Sequence, residues 1–178
     1  MTDDLLSQID DRADVLFDRL RGRTGADGAA AVLSNLADYG LVWVVLAGGI
    51  GRHPGPARRR ASEALALSGT LSFGVNKAVK LLVRRERPEA ALQLGSVPVR
   101  APSSSSFPSG HTLAAFSTAV MLPTTPASTA ACLTFAGAVA ASRVHLGHHH
   151  ASDVLGGAII GAAIGLVGRR VLTRRHRR

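Results

Sequence analysis

Ser142-Arg143-Val144-His145-Leu146-Gly147-His148-His149-His150-Ala151-Ser152-Asp153 runs without a break into the apolar segment 154–167. Four histidines fall within six residues, and an aspartate stands just ahead of a stretch fit to be a helix. His149 and Asp153 are four apart, so one helical turn sets them on the same face. A carboxylate so placed can hold an imidazole in one tautomer, as a nucleophile or a general base requires. The same cluster suits a metal site or a polar surface, and the rest of the chain has to separate these readings.

Downstream, the spacing predicts a helix over 154–172, capped by Asp153 or Ser152. Gly156, Gly157, Gly161 and Gly165 give it a small-residue face that a neighbouring helix can approach closely. Residues 169–178 are nearly all basic. Upstream lies a small-residue-rich apolar stretch, 127–141, after a turn marked by Pro123 and Pro126. Before it, Pro108-Ser109-Gly110-His111 opens a helix over 112–122, proline being suited to a first helical turn.

Further upstream, segments 29–50 and 61–83 have about the 20 residues that a bilayer crossing needs. A Pro-Gly linker with four arginines, 51–60, joins them. The second segment ends in Lys77, Lys80 and Arg84-Arg85-Glu86-Arg87-Pro88, where proline stops the helix. A loop containing Ser103-Ser104-Ser105-Ser106 then runs to Phe107. At the start, Leu5, Ile9, Ala13, Leu16 and Leu20 recur at helical spacing. They predict an amphipathic helix, either packed on the rest of the protein or lying on a membrane surface. A Gly-containing polar break at 21–28 follows it.

These elements predict an all-α, multi-pass transmembrane bundle of about five crossings plus an N-terminal amphipathic helix. Residues 1–28 form the helix and linker, and 29–178 the membrane domain with its basic tail. Segments 112–122 and 127–141 are short for a hydrocarbon core of about 30 Å unless their polar ends are included. A buried, soluble helical domain is the competing architecture.

The totals agree with this picture. A length of 178 residues suits one domain. Hydrophobic residues reach 46 % while aromatics are only 4 %, so alanine and glycine carry much of the apolar count. The net charge of +9 is almost all arginine, the lysines being Lys77 and Lys80. A basic excess can serve nucleic acid, anionic lipid or an anionic substrate, so its location decides. Cys132 is the single cysteine, which excludes an intramolecular disulfide. The acidic start Met1-Thr2-Asp3-Asp4 lacks the basic region of a signal peptide, and none is expected.

Successive crossings alternate sides. Lys80–Pro88, Pro108–His111 and Ser142–Asp153 then share one face. Ten arginines, Arg52, Arg58, Arg59, Arg60, Arg169, Arg170, Arg174, Arg175, Arg177 and Arg178, share the other. The positive-inside rule makes that second face cytoplasmic. The four arginines of the N-terminal segment, Arg12, Arg19, Arg21 and Arg23, count against this orientation.

Singly, each cluster is ambiguous: interfacial cations, an ordinary helix start, a polar loop. Together they suit phosphoryl transfer, where catalysis is positioning plus electrostatic stabilisation. Lys80, Arg87 and Arg143 supply cations, and arginine's planar fork matches phosphate oxygens. Ser109 and Gly110, at a helix start, can offer backbone N–H groups to the same anion. Two histidines fit in-line displacement, one attacking and the other protonating the leaving oxygen.

The set Lys80-x6-Arg87-Pro88, Pro108-Ser109-Gly110-His111 and Ser142-Arg143-x5-His149-x3-Asp153 resembles the tripartite signature of the type-2 phosphatidic acid phosphatase superfamily. All three blocks are present in order, over about residues 61–170. The resemblance implies a helical bundle with its site at one end. It makes His149 the nucleophile, forming a phosphohistidine, and Asp153 its orienting partner. His111 protonates the leaving group and then activates water. Lys80, Arg87, Ser109, Gly110 and Arg143 bind the phosphoryl oxygens. No metal or other cofactor is implied. His145 and His150 stand where the family often has aromatic residues. They either line the leaving-group pocket or replace those residues neutrally, and His148 reads as a solvent-facing neighbour.

The expected function is an integral cell-membrane phosphatase acting on a lipid phosphate or diphosphate, its site on the extracytoplasmic face and its tail cytoplasmic. The arginine-rich, lysine-poor composition has an actinobacterial look and fits a polyprenyl-phosphosugar phosphatase of cell-wall synthesis. Undecaprenyl or decaprenyl diphosphate, phosphatidic acid and phosphatidylglycerol phosphate are the other substrates in view. Anionic lipid headgroups are the expected contact of the basic tail, and no nucleic-acid partner is expected. The alternatives are a vanadate-dependent peroxidase on the same scaffold and a non-enzymatic basic membrane protein.

Overall fold

The computed structural model describes residues 2–37, 41–50, 55–88 and 104–176. Among the described residues there are seven helices and no strand: α1 (Thr2–Asp18), α2 (Thr24–Ala37), α3 (Leu41–Ile50), α4 (Pro56–Leu82), α5 (Gly110–Met121), α6 (Pro126–His145) and α7 (Ala151–Arg175). The expected segment 29–50 is thus two helices, α2 and α3. The expected loop at 89–103, the start of the linker at 51–54 and the last two arginines lie outside the described residues.

The centre of the fold is the pair α5 and α7. A Cβ added at Gly157 would lie 2.8 Å from the Ser109 carbonyl oxygen, and one at Gly165 would lie 2.8 Å from that of Ser117. At Gly161 it would collide with the Leu113 backbone. This glycine row, read from the sequence as a packing face, admits the backbone of α5 where any side chain would hold it off. Gly156 stands apart from the row and faces the Phe107 ring. Between α4 and α5 the Ser68 hydroxyl bonds the hydroxyls of Ser117, at 3.1 Å, and Thr118, at 2.6 Å.

Two apolar clusters fill the bundle. Trp43, Ala115, Ala119, Cys132, Ala136 and Val139 join α3, α5 and α6. Ala47, Ala61, Ala64, Met121, Leu122 and Leu172 close the end opposite the histidines. At that end Arg60 donates to the Leu122 carbonyl at 3.0 Å, answering a carbonyl that the end of α5 leaves without a helical partner. The outer surface is also apolar: Phe73, Leu82 and Ile159 are 71 %, 83 % and 71 % exposed. Among the described residues α6 and α7 are long and apolar enough to cross a membrane.

Several local expectations need correction. The polar break is shorter than 21–28, because α2 already begins at Thr24. Pro108 precedes the cap residue Ser109 and so lies outside the first turn of α5. The cap position of α7 is His150, with Ser152 and Asp153 inside the first turn. The short stretch 127–141 becomes the 20-residue α6, begun by Pro126 and a Thr125–Ser128 capping box. On α1 the inward face is Asp10, Ala13 and Phe17, the last two packed on Ala140, Val144 and Val154. Leu5, Leu16 and Leu20 of the expected stripe are exposed.

Candidate active site

α4 and α6 end, and α5 and α7 begin, at the same end of the bundle. The three sequence clusters therefore meet there. A cavity of about 360 Å³ is lined by Lys80, Arg87, Gly110, His111, Arg143 and His149, together with Ser104, Asn76, Ser72, Phe73, Gly69, Ala114 and Ala37. Six of the eight residues singled out from the sequence line this one cavity.

The turn from α6 to α7 sets the nucleophile candidate. Gly147 has φ +65°, its amide donates to the Val144 carbonyl at 2.9 Å, and the His148 amide donates to the Arg143 carbonyl at 3.1 Å. This is a Schellman ending, which needs a left-handed residue and so a glycine. Arg21 caps the same helix end, donating to the carbonyls of Val144 at 2.9 Å and His145 at 3.0 Å. The sharp turn sends His148 and His149 inward, where they are 4 % and 3 % exposed. His148 is therefore a buried residue, where the sequence suggested a solvent-facing one.

His149 Nδ1 lies 2.8 Å from the Ser106 carbonyl oxygen. A carbonyl only accepts, so the proton of the neutral ring sits on Nδ1 and the lone pair on Nε2. Arg87 Nη1 is 3.4 Å from that Nε2. Burial, helped by Arg87 and Arg143 and opposed by Asp153, pushes the His149 pKa down to about 4. The ring is neutral at pH 7, with its lone pair toward Arg87. His148 is pushed lower, to about 3, first by burial and then by Arg143.

Asp153 is fully buried, and its Oδ2 is 3.8 Å from His149 Nδ1, within ion-pair range but too far for a hydrogen bond. It accepts instead from the His150 amide at 2.9 Å, from Arg85 Nη1 at 2.6 Å and from the Ser106 hydroxyl. Its hold on His149 thus runs through Ser106, whose carbonyl makes the direct contact.

Lys80 and Arg87 donate to hydroxyl and carbonyl oxygens. Lys80 Nζ donates to Ser104 Oγ at 3.0 Å and to the Ser105 carbonyl at 2.8 Å. Arg87 Nε donates to the Ser104 carbonyl at 2.9 Å, and Nη2 to that of Ser105 at 3.2 Å. Arg143 is buried and bonds the Ser34 hydroxyl on α2. Ser109 differs from the other expected phosphate contacts. It is fully buried and its amide donates to the Asp153 carbonyl at 3.1 Å, tying α5 to α7. Gly110, the first helical residue, lines the cavity and has the Asn76 amide packed on its Cα.

The other histidines face different neighbours. His145 Nε2 is 2.8 Å from Asp27 Oδ1, and its ring meets Phe17 edge-on. It does not line the cavity beside His149. His150 borders a separate groove against α1. Among the described residues no three His, Cys, Asp or Glu side chains gather as metal ligands would. Sequence reasoning missed Asp10, Asn76, Arg85 and Ser106. Arg85 lies between Lys80 and Arg87 of the first cluster, and Ser106 is the last of four consecutive serines.

The model of the PAP2 superfamily matches residues 62–177. The chain is 35 % identical to a decaprenylphosphoryl-5-phosphoribose phosphatase of Mycolicibacterium smegmatis, over 78 % of this chain and 74 % of that protein. It is 30 % identical to the protein of the same name from Mycobacterium tuberculosis, over 82 % and 80 %. The fold is similar to a transmembrane PAP2-type phosphatidylglycerolphosphate phosphatase from Bacillus subtilis, with TM-score 0.74 and 22 % identity, covering 97 % of this chain and 87 % of that one. It is also similar to Aquifex aeolicus LpxE, with TM-score 0.68 and 24 % identity, over 87 % and 91 %.

Proposed function

The chain belongs to the PAP2 superfamily and is a phosphatase hydrolase, and on that premise we propose that it hydrolyses a lipid phosphate or diphosphate at a membrane through a phosphohistidine on His149. The observation that carries the reading is the 2.8 Å contact of His149 Nδ1 with the Ser106 carbonyl, which sets the tautomer and leaves Nε2 facing Arg87 in a cavity that Lys80 and Arg143 also line.

In this mechanism Lys80, Arg87, Arg143 and the Gly110 amide hold the phosphoryl oxygens and offset the charge that spreads over them. His149 Nε2 attacks phosphorus as the bond to the leaving oxygen breaks, and His111 protonates that oxygen. His111 then takes a proton from water, which attacks the phosphohistidine, releases phosphate and restores neutral His149. Asp153 supports the imidazolium character that develops on His149. Ser109 acts by fixing the start of α5 rather than by touching phosphate.

The cavity's lining supports a lipid substrate. From Lys80 it continues along one face of α4 past Asn76, Phe73 and Ser72 to Gly69, about 16 Å at 1.5 Å per residue. Small and apolar residues at its far end suit a chain, and the polar end suits a headgroup. Two relatives are named for a decaprenyl-linked phosphoribose, so a polyprenyl-linked phosphosugar is the first substrate to test.

We group the helices after α1 into five passes, α2 with α3, then α4, α5, α6 and α7. We read them as five crossings, with the site extracytoplasmic, the basic tail inside against anionic headgroups, and residues 1–28 as a helix and linker outside the 29–178 membrane domain. The test is phosphate release by purified protein from a panel of polyprenyl phosphates, polyprenyl diphosphates, polyprenyl-linked phosphosugars and phosphatidic acid, with and without EDTA. Release that survives chelation is expected. Release lost to EDTA and restored by zinc would contradict the mechanism.

A further inference from the structure

α1 lies outside the segment matched by the family model, yet one of its acids is built into the wall behind His149. Asp10 is buried on the inner face of α1. Its Oδ1 accepts from the Ser152 amide at 2.8 Å, and its Oδ2 accepts from the Ser152 hydroxyl at 2.8 Å and from Arg85 Nη2 at 2.6 Å. Ser152 sits in the first turn of α7, where Asp153 answers the His150 amide and Asp10 answers that of Ser152. Asp10 therefore caps α7 from another helix, at the end where the dipole favours an anion.

Arg85 carries this contact onward. Its Nη1 donates to Asp153 Oδ1 and to Ser152 Oγ, each at 2.6 Å. Asp153 in turn holds the Ser106 hydroxyl. The Ser106 amide donates to the Arg85 carbonyl at 2.9 Å, so Ser106 is fixed from two sides. Its carbonyl then receives the Nδ1 proton of His149 at 2.8 Å. From Asp10 to Ser106 each side chain is bonded to the next, and the last link to the imidazole is the Ser106 backbone carbonyl.

Buried ion pairs are weak evidence for stability, because desolvation offsets much of the attraction. Ala13 and Phe17 already dock α1 by apolar contact. What the ion pair adds is a fixed place for Arg85, and through it for both groups that set the His149 ring. Without Asp10, Arg85 would keep Asp153 and the Ser152 hydroxyl on Nη1 but lose the acid that holds Nη2.

We infer that Asp10 is a positioning residue for the phosphatase reaction, acting through Arg85, Asp153 and Ser106 to hold His149 in its attacking orientation. The inference rests on the reading of His149 as nucleophile. Asp10 touches no phosphate, so its loss should lower kcat and spare KM.

The test uses the full chain in detergent micelles with a polyprenyl monophosphate, or phosphatidic acid if the parent turns that over faster. Asp10→Asn keeps an acceptor for the Ser152 amide but loses the charge facing Arg85. It should lower kcat by about 10- to 100-fold with KM changed less than about twofold. In a double-mutant cycle, adding Asp10→Asn to Arg85→Gln should cost less than about a further twofold, because one pathway is cut only once. A folded Asp10→Asn with parent kcat, a loss confined to KM, or losses that multiply in the double variant would each overturn the inference. Should Asp10→Asn leave no folded protein, Arg85→Gln carries the test: lower kcat at parent KM supports the relay, and parent kcat overturns it. A parent that releases no phosphate overturns both this inference and the functional reading. An active parent with an equally active Asp10→Asn overturns the relay alone.

Discussion

At one end of the bundle Arg87 and Arg143 line a cavity beside His149, whereas at the other Arg59 and His176 close on one acid, Glu63, at 3.0 Å each, with Arg175 at 4.0 Å. Both ends are cationic, but they differ in what answers the charge. At the far end a carboxylate answers it, and Arg60 is turned to carbonyls at the end of α5. At the near end Lys80 and Arg87 donate to hydroxyl and carbonyl oxygens, which orient a cation without neutralising it. Two residues from Arg87, Arg85 behaves like the far end, paired with Asp10 and Asp153 at 2.6 Å. An arginine in this chain is thus available to an anion according to whether an acid is within its reach, and position in the sequence alone does not decide it.

The comparison is broken most sharply by removing a cation from the near end. Arg143→Ala should lower the rate about 100- to 1000-fold, the usual cost of one donor to a developing anion. A loss under tenfold, measured by initial-rate phosphate release, would place Arg143 in the structure rather than the reaction.

A second prediction concerns pH. His149 titrates at about 4 in the folded chain, against about 6.5 for an ordinary histidine. Because its folded pKa is depressed, the neutral ring that the proposed attack needs persists as pH falls below 6.5. The acid limb of kcat/KM in the free enzyme should therefore appear near pH 4. The same shift destabilises the fold in acid. The unfolded chain takes up protons below about pH 6.5, so stability should decline from there toward pH 4, as read by the melting temperature. An acid limb at 6.5 would mean a solvated imidazole and contradict the described burial. The smallest effect belongs to the far end: Glu63→Gln should leave kcat/KM within about twofold of the parent, exposed pairs contributing little. A large loss there would erase the contrast between the ends.

Much of the architecture was legible because its signals are local. Pro123 and Pro126 mark helix limits, whereas α4 ends at Leu82, six residues before Pro88, and the glycines at 157, 161 and 165 share one helix face whatever packs on it. The meeting of the three clusters followed from counting passes. What escaped reading depends on partners distant in sequence. Asp10 meets Ser152 across 142 residues, and only its place on one face with Ala13 and Phe17 hinted that it was enclosed. The apolar stripe of α1 misled for a physical reason. The inner face is set by Asp10, which bonds Ser152 and Arg85, so Leu5 and Leu16 turn outward and are 58 % and 61 % exposed. His148 was misplaced because the left-handed Gly147 reverses the chain inward, a backbone property that polarity does not reveal.

The central claim is that Nε2 of His149 becomes bonded to phosphorus. Rapid quenching of the purified enzyme with phosphorus-labelled lipid substrate, followed by peptide mapping, tests it directly. The account predicts acid-labile, base-stable label on His149, and no label or turnover in His149→Ala. Full turnover by His149→Ala, or label on another residue, would contradict it.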